Sequence, residues 1–330
     1  MPAGPFYNNV KATSSGTAGT GSFTPSTATA DGLAWSTVPT GWVGLVRYDD
    51  GTSWELAYGY WNGTTITRPS NIVSSSSGSR LSLTSAATAA LVPDGALISP
   101  DFVVPQRGYL PQPNSTAISA IGLTGGTATG TAGAAALAAT NYLTEQPRVQ
   151  LTSATTANAQ AGYSITNITG VTSSTAGRGG WKFSCRFGAS QIPTGPRFFV
   201  GMTNTTFVGV TTEPSALTAN YAVFAKDSTD TNIQLLTNSN VSTGTKVDTG
   251  IALAANDWFH AQIWTPPGST TVYALLIKMN DGSIYYGSTS TDVPATGSLL
   301  FPQAMANLSA TTGTAVILHY GGYWVRTGGL

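Results

Sequence analysis

The chain has 330 residues, of which only 8% are charged, with 14 basic side chains balanced by 14 acidic ones; an ordinary soluble domain carries about 25%. This neutrality excludes the basic footprint that a nucleic-acid binder needs. The 41% of hydrophobic and 10% of aromatic residues supply a core that a disordered chain lacks.

The opening Met1-Pro2-Ala3-Gly4-Pro5 has neither the basic nor the apolar region of a secretory signal. No apolar run approaches the ~20 residues of a membrane-spanning helix, so membrane insertion is not expected. A surface-type composition without an export signal suits a protein made in a host cytoplasm and released inside a particle; a bacterial protein whose signal has been removed would read the same way.

Residues 1–95 predict a small N-terminal β-domain. Trp42–Tyr48 and Trp54–Tyr60 read as strands joined by an Asp49-Asp50-Gly51 turn. Asn62-Gly63 marks a second turn into Thr64–Arg68, and Pro69, which has no N–H for a ladder, ends that strand. A Ser-rich loop over Ser74–Ser79 and an alternating Leu81–Thr84 follow, and Ala89–Pro93 closes the unit.

Residues 96–150 predict a connector with little core of its own. Pro100, Pro105, Pro111 and Pro113 punctuate it, and Gly122–Ala139 is Gly/Ala/Thr-rich, with a helical turn or two expected at Ala134–Ala139.

Residues 151–330 predict an antiparallel β-sandwich. Strand patterns fall at 181–187, 197–202, 221–226, 232–237, 258–264, 272–279, 283–286, 316–320 and 323–326. Asn280-Asp281-Gly282 is the strongest hairpin signal in the chain. The lone Cys185 forms no intrachain disulfide and, between Phe183 and Phe187, reads as a buried apolar thiol. The fold class is therefore all-β, a small β-domain followed by a sandwich.

Two segments carry a resemblance. Trp54-Glu55-Leu56-Ala57-Tyr58-Gly59-Tyr60 followed by Ile66-Thr67-Arg68-Pro69 resembles a β-module of tailed-bacteriophage structural proteins. In that module a Trp-Glu strand precedes a Thr-Arg strand and a Ser-rich loop. Trp181–Phe187, Gly195–Gly201 and Asp257-Trp258-Phe259 are similar to the concanavalin A/laminin-G-like, jelly-roll-type sandwiches of phage head and tail appendages. The resemblance implies a virion structural protein that is often oligomeric, and some relatives bind surface glycans.

Chemistry-bearing patterns are sparse. Asp227 and Asp230 offer oxygens for Ca²⁺, yet a calcium loop needs more acidic ligands, and the acidic cluster of legume-lectin-like relatives is not evident. His260 and His319 lack metal-ligand spacing, no Gly-x-Ser-x-Gly elbow occurs, and Glu55, Glu145 and Glu213 have no acid/base setting. No cofactor or metal is expected, and no catalysis.

The aromatic positions are the best candidates. On the 258–264 strand Trp258, His260, Gln262 and Trp264 share one face, opposite Phe259, Ala261 and Ile263. Trp beside polar groups is the mix used by a sugar platform or a subunit contact. Tyr60-Trp61, beside Asn62-Gly63, is a similar exposed-turn candidate.

The leading expectation is a non-enzymatic virion component: a tail fibre, head fibre or capsid decoration protein. It would be anchored by residues 1–95, partnered with capsid, portal or tail proteins, and assembled as a homotrimer through neutral faces. A carbohydrate-binding adhesin recognising a host surface glycan is the alternative, and a glycan-degrading enzyme the third.

Overall fold

The computed structural model describes residues 10–30, 32–38, 40–68, 73–76, 79–92, 106–109, 127–129, 131–164, 170–176, 178–205, 212–308 and 314–327. The chain divides into two compact units, Met1–Phe102 and Val103–Leu330. Both are built from antiparallel sheets, and helix is confined to two single 3-10 turns among the described residues.

The first unit contains β1 (Lys11–Ser14), β2 (Pro25–Ala28), β3 (Val43–Asp49), β4 (Trp54–Trp61), β5 (Ile66–Thr67), β6 (Val73–Ser74) and β7 (Thr88–Leu91). Their order is β2-β1-β7-β3-β4-β5, with β6 also on β4. The β3–β4 hairpin turns where the sequence predicts. Asp49 accepts the Gly51 N–H at 3.0 Å, and Gly51 takes a φ of +81°, a conformation glycine adopts without cost. Phe23, two residues before β2, exchanges both backbone hydrogen bonds with Ile66 of β5 at 2.8 and 2.9 Å. The two ends of the sheet therefore meet, and the sheet curls around Phe23, Trp35, Tyr48, Trp61 and Ile66.

The Trp54-Glu55 and Thr67-Arg68 segments meet in the structure. Glu55 and Arg68 form an ion pair at 3.0 Å with both side chains fully buried. The Arg68 guanidinium also donates to the carbonyls of Gly19, Gly21 and Leu81, while Glu55 accepts the Leu81 N–H at 2.8 Å. Arg68 lies 4.9 Å from the Tyr48 ring centroid, and burial pushes the Tyr48 phenol well above its ordinary range. One buried charge pair thus ties β4 to three loops, and removing one partner would leave the other charge unpaired in the core.

The second unit contains β8 (Gln106–Tyr109), β9 (Thr127–Thr129), β10 (Thr131–Ala134), β11 (Val149–Thr152), β12 (Gln160–Ser164), β13 (Gly170–Val171), β14 (Trp181–Gln191) and β15 (Arg197–Thr203). It continues with β16 (Asn220–Lys226), β17 (Asn232–Ser239), β18 (Thr245–Ala252), β19 (Asp257–Thr265), β20 (Val272–Lys278), β21 (Ile284–Thr289), β22 (Leu299–Asn307) and β23 (Ile317–Thr327). One sheet runs β10-β11-β23-β14-β19-β20-β21, with β8 on β23, and is called here the front sheet. The other, the back sheet, runs β18-β17-β16-β15-β22-β12-β9, with β13 on β22. Alternate side chains of the two sheets meet in one core, including Phe183, Phe187 and Phe259 from the front and Phe198, Val200 and Phe224 from the back. This is an antiparallel β-sandwich.

Several local expectations change. The segment expected as a connector contributes β8, β9 and β10 to the sheets of the second unit. Its proline-rich stretch 96–105, Pro111, Pro113 and Gly122–Gly126 lie outside the described residues, as do Pro69 and Pro93. Ala134–Ala139 forms no helical turn; Asn141 instead closes a turn with Thr144, its side-chain oxygen accepting the Thr144 N–H at 2.9 Å. The two strands expected at 316–320 and 323–326 are one, β23, whose ladder with β14 is interrupted between Cys185 and Phe187, opposite the Gly321-Gly322 pair.

The middle of the back sheet is buried on both faces. Every residue of β15 and β16 is buried. Outside the sandwich core, Phe199, Tyr221, Val223, Leu236 and Met305 form a second apolar layer with Leu217 and Ala219. The segment 212–219, with a 3-10 turn at Pro214–Ala216, lies over this face. The continuous apolar runs of β15 and β16 reflect that double burial.

Candidate functional site

The front sheet presents a different outer face. In-register pairing arranges its outward side chains in rows across β14, β19, β20 and β21. One row is Lys182, Trp264, Tyr273, Ser288; the next is Ser184, Gln262, Leu275, Tyr286; the third is Arg186, His260, Ile277, Ile284. Leu275 and Ile277 are buried, while Trp264, Tyr273 and Tyr286 are half-buried.

The aromatic members make one continuous surface. Trp264 stacks on Tyr273 with centroids 5.7 Å apart and planes 17° from parallel. Tyr286 lies 6.0 Å from Trp264 at 44°. The Lys182 ammonium sits 5.9 Å from the Trp264 ring centroid. Beside them the Gln262 amide donates to Nε2 of His260 at 2.9 Å, which leaves the ring proton on Nδ1. Burial, then the charges of Arg186 and Lys182, push His260 down to about 4, so the ring is neutral at pH 7.

Of the six residues singled out in the sequence, His260, Gln262 and Trp264 share this face. Trp258 lies on the same side of β19 but is buried at 1% exposure. Its indole covers Gly188 and Gly321: a Cβ at Gly321 would lie 2.5 Å from Trp258 Cζ2, and one at Gly188 2.8 Å from Cε3. Leu143, from the segment between β10 and β11, is buried over the same Gly188, and Arg186 donates to Gln146 of that segment at 3.1 Å. Trp258 therefore belongs to the covered end of the face and is removed from the site. Tyr273, Tyr286 and Lys182 were missed because they lie on three other strands. Only the cross-strand register brings them beside Trp264.

The exposed-turn reading of Tyr60 and Trp61 is also corrected. Both are buried at the end of β4. The Trp61 indole donates to the Val38 carbonyl at 3.1 Å and packs 5.7 Å from Trp35. The turn begins one residue later, at Asn62, whose side-chain oxygen accepts the N–H groups of Thr64 and Thr65.

The remaining titratable groups have structural partners. Lys246 pairs with Asp227 at 2.6 Å and Asp230 at 2.9 Å, so the two carboxylates considered for Ca²⁺ are turned on an ammonium. Glu213 accepts from the backbone and hydroxyl of Ser228 and pairs with Arg197 at 3.0 Å. Those hydrogen bonds and the Arg197 charge outweigh its desolvation and hold its carboxyl below the usual range. Ser215 donates through both its N–H and its hydroxyl to Asp227. These bonds anchor the cover over the back sheet. Of the other glutamates, Glu55 is in the buried pair and Glu145 is exposed.

His319 is buried, with Nε2 2.7 Å from Ser190 Oγ. Burial, helped by the Arg148 charge, pushes it down to about 3. Its Nδ1 has no partner, so no carboxylate orients the ring as a general base requires. The Cys185 thiol is buried and pushed up by desolvation. Among the described residues no group of three or more His, Cys, Asp or Glu is placed to hold a metal ion. The slight apolar depression at Phe199, Pro214, Leu217, Tyr221 and Val223 has no room for a ligand, and the Tyr221 hydroxyl there donates to the Pro214 carbonyl at 3.1 Å.

No protein-family model and no curated protein matches the sequence. Among solved structures, the chain is similar to a protein of unknown function from Shewanella oneidensis MR-1, with a TM-score of 0.45 and 13% identity over 72% of this chain and 95% of that one. It is similar to lectin II from Ulex europaeus, with a TM-score of 0.46 and 11% identity over 68% and 98%. A peanut lectin solved with a nine-residue peptide gives 0.45 and 12% over 68% and 97%.

Proposed function

We propose that the second unit is a carbohydrate-binding β-sandwich and that the chain recognises glycans without transforming them. The observation that carries this reading is the surface formed by Trp264, Tyr273 and Tyr286 beside Gln262. Aromatic faces accept the C–H face of a pyranose, burying apolar area at little entropic cost, and the neighbouring amide addresses ring hydroxyls. The test is a glycan array read with the native chain and with Trp264→Ala. Native binding that disappears in an equally stable variant supports the reading; binding that persists overturns it.

A second reading concerns where such a binder works. The motif resembling tailed-phage modules closes on itself through Glu55 and Arg68, which supports the first unit as a β-module of a virion appendage, attached to capsid, portal or tail proteins. Assembly as a homotrimer and production in a host cytoplasm belong to this proposal. Cryo-electron microscopy of intact particles tests it: density for the chain on the particle supports it, and particles lacking the chain contradict it. A light-scattering mass of a stable monomer at micromolar concentration would remove the trimer.

A further inference from the structure

On the front face the charges are engaged within the chain and the neutral polar groups are not. The Lys182 ammonium sits 5.9 Å from the Trp264 ring centroid, and Arg186 donates to Gln146 at 3.1 Å. Asp257, in the β14–β19 ladder, pairs with Lys278 at 3.1 Å. The Gln262 amide, by contrast, uses one N–H on His260 and keeps its oxygen and its second N–H. Ser184 is half-buried on β14 and Ser288 is exposed on β21, and neither hydroxyl is hydrogen-bonded to another described residue. These groups flank the rings. β14 and β21 are three interstrand steps apart, about 14 Å, and Trp264, Tyr273 and Tyr286 lie on β19, β20 and β21. The segment carrying Leu143 and Gln146 covers one end of the strands, whereas the rows run across them to the edge of the sheet at β21.

We propose that this face takes an uncharged, unbranched polysaccharide lying across the strands, held by an internal stretch of its chain rather than by a terminal sugar. The proposal rests on the carbohydrate reading and adds the ligand class to it. A terminal sugar is gripped by a pocket that closes around it. Here the rings come from neighbouring positions of one sheet and stand in its rows. One pyranose does not reach from Ser184 to Ser288. Consecutive sugars of one chain do, packing on Trp264 and Tyr286 on the way, and each half-exposed ring adds apolar area that a single sugar would leave in water. The ligand is uncharged because a charged one would lose hydration at a face whose own charges are already engaged. Sugar hydroxyls find an amide and two hydroxyls instead. A second copy of the chain docked here would press those groups against rings and leave their hydrogen bonds unmade.

The test is calorimetric titration with neutral gluco-, manno- and galacto-oligosaccharide series, from the monosaccharide upward, and with a carboxylate-bearing series (oligogalacturonate). At least one neutral series is expected to gain about tenfold in affinity between the monosaccharide and the tetrasaccharide and then to level off. The binding should be unchanged between about 50 and 500 mM salt, since no ion pair carries it, and unchanged when the reducing-end sugar is converted to its alditol. Ser288→Ala is expected to weaken the tetrasaccharide while sparing the disaccharide, and Trp264→Ala to abolish binding of both. Thermal melts of each variant confirm that the fold is kept. A monosaccharide that binds as tightly as its tetrasaccharide overturns the chain assignment and leaves the carbohydrate reading standing, as does binding of the acidic series alone. Binding of no glycan, here or on the array, overturns both. A dimer in light scattering that Trp264→Ala dissociates would make this face a contact between copies and overturn the proposal.

Discussion

The two outer faces of the sandwich differ in how they use the same few kinds of residue. On the back sheet, apolar side chains point outward and are sealed by residues 212–219, and the nearby charges pin that cover through Glu213 and Asp227. On the front sheet, aromatics point outward and remain half-exposed, and the nearby charges stand among them. A burial-driven face completes itself within the chain. A face of large half-exposed rings beside an amide is built for something outside it.

Truncation should separate the faces most sharply. Phe199→Ala in the sealed layer is expected to cost about 3–5 kcal/mol, read as a lower denaturation midpoint. A loss below about 1 kcal/mol would mean that this layer is not a packed core. Loosening the cover comes next. Ser215→Ala removes a hydroxyl donor from a buried carboxylate and should cost about 2 kcal/mol, with increased binding of a hydrophobic dye at the uncovered layer; unchanged dye binding would show that the cover is held by other means.

Acidification should destabilise both parts of the front face, since His260 and His319 are each held below the ordinary histidine range, and His319 the further. The folded state holds His319 down to about 3, so the unfolded chain takes up the proton first. Stability is full above pH 6.5 and falls as pH drops toward 3, by about 1 kcal/mol per pH unit for this residue. Melts at pH 6.5 and 5.5, above the carboxylate range, should show that loss, and His319→Gln should reduce it. The smallest stability effect belongs to Trp264→Ala, which forfeits stacking on Tyr273 and should cost about 1 kcal/mol while removing glycan binding. A loss as large as that of Phe199→Ala would make Trp264 a core residue and end the comparison.

Much of the fold was legible because β14 over 181–187 and β19 over 259–265 alternate, one side chain in and the next out. β22 was not, although it lies between β15 and β12 in the back sheet. It carries Pro302 within a run buried on both faces, which hides the period of two. The structure accommodates this proline where the pairing on one side changes: β13 pairs at Leu299 and Leu300, and β12 pairs from Gln303 onward. β18 alternates but begins in a Ser/Thr-rich stretch that reads as loop. Tyr60 and Trp61 misled because alternation in β4 fails over its last three residues, all buried. At the site, one strand of the platform could be read directly. The other three could not, since register between strands far apart in sequence is set by the core they share.

The most direct test of the front face as the recognition surface is ¹⁹F NMR of the chain labelled with fluorotryptophan, titrated with a glycan that the array shows it to bind. The account predicts that the Trp264 resonance, assigned with Trp264→Phe, shifts on binding while those of buried Trp35 and Trp181 stay in place. Saturable binding that leaves Trp264 unmoved would contradict it.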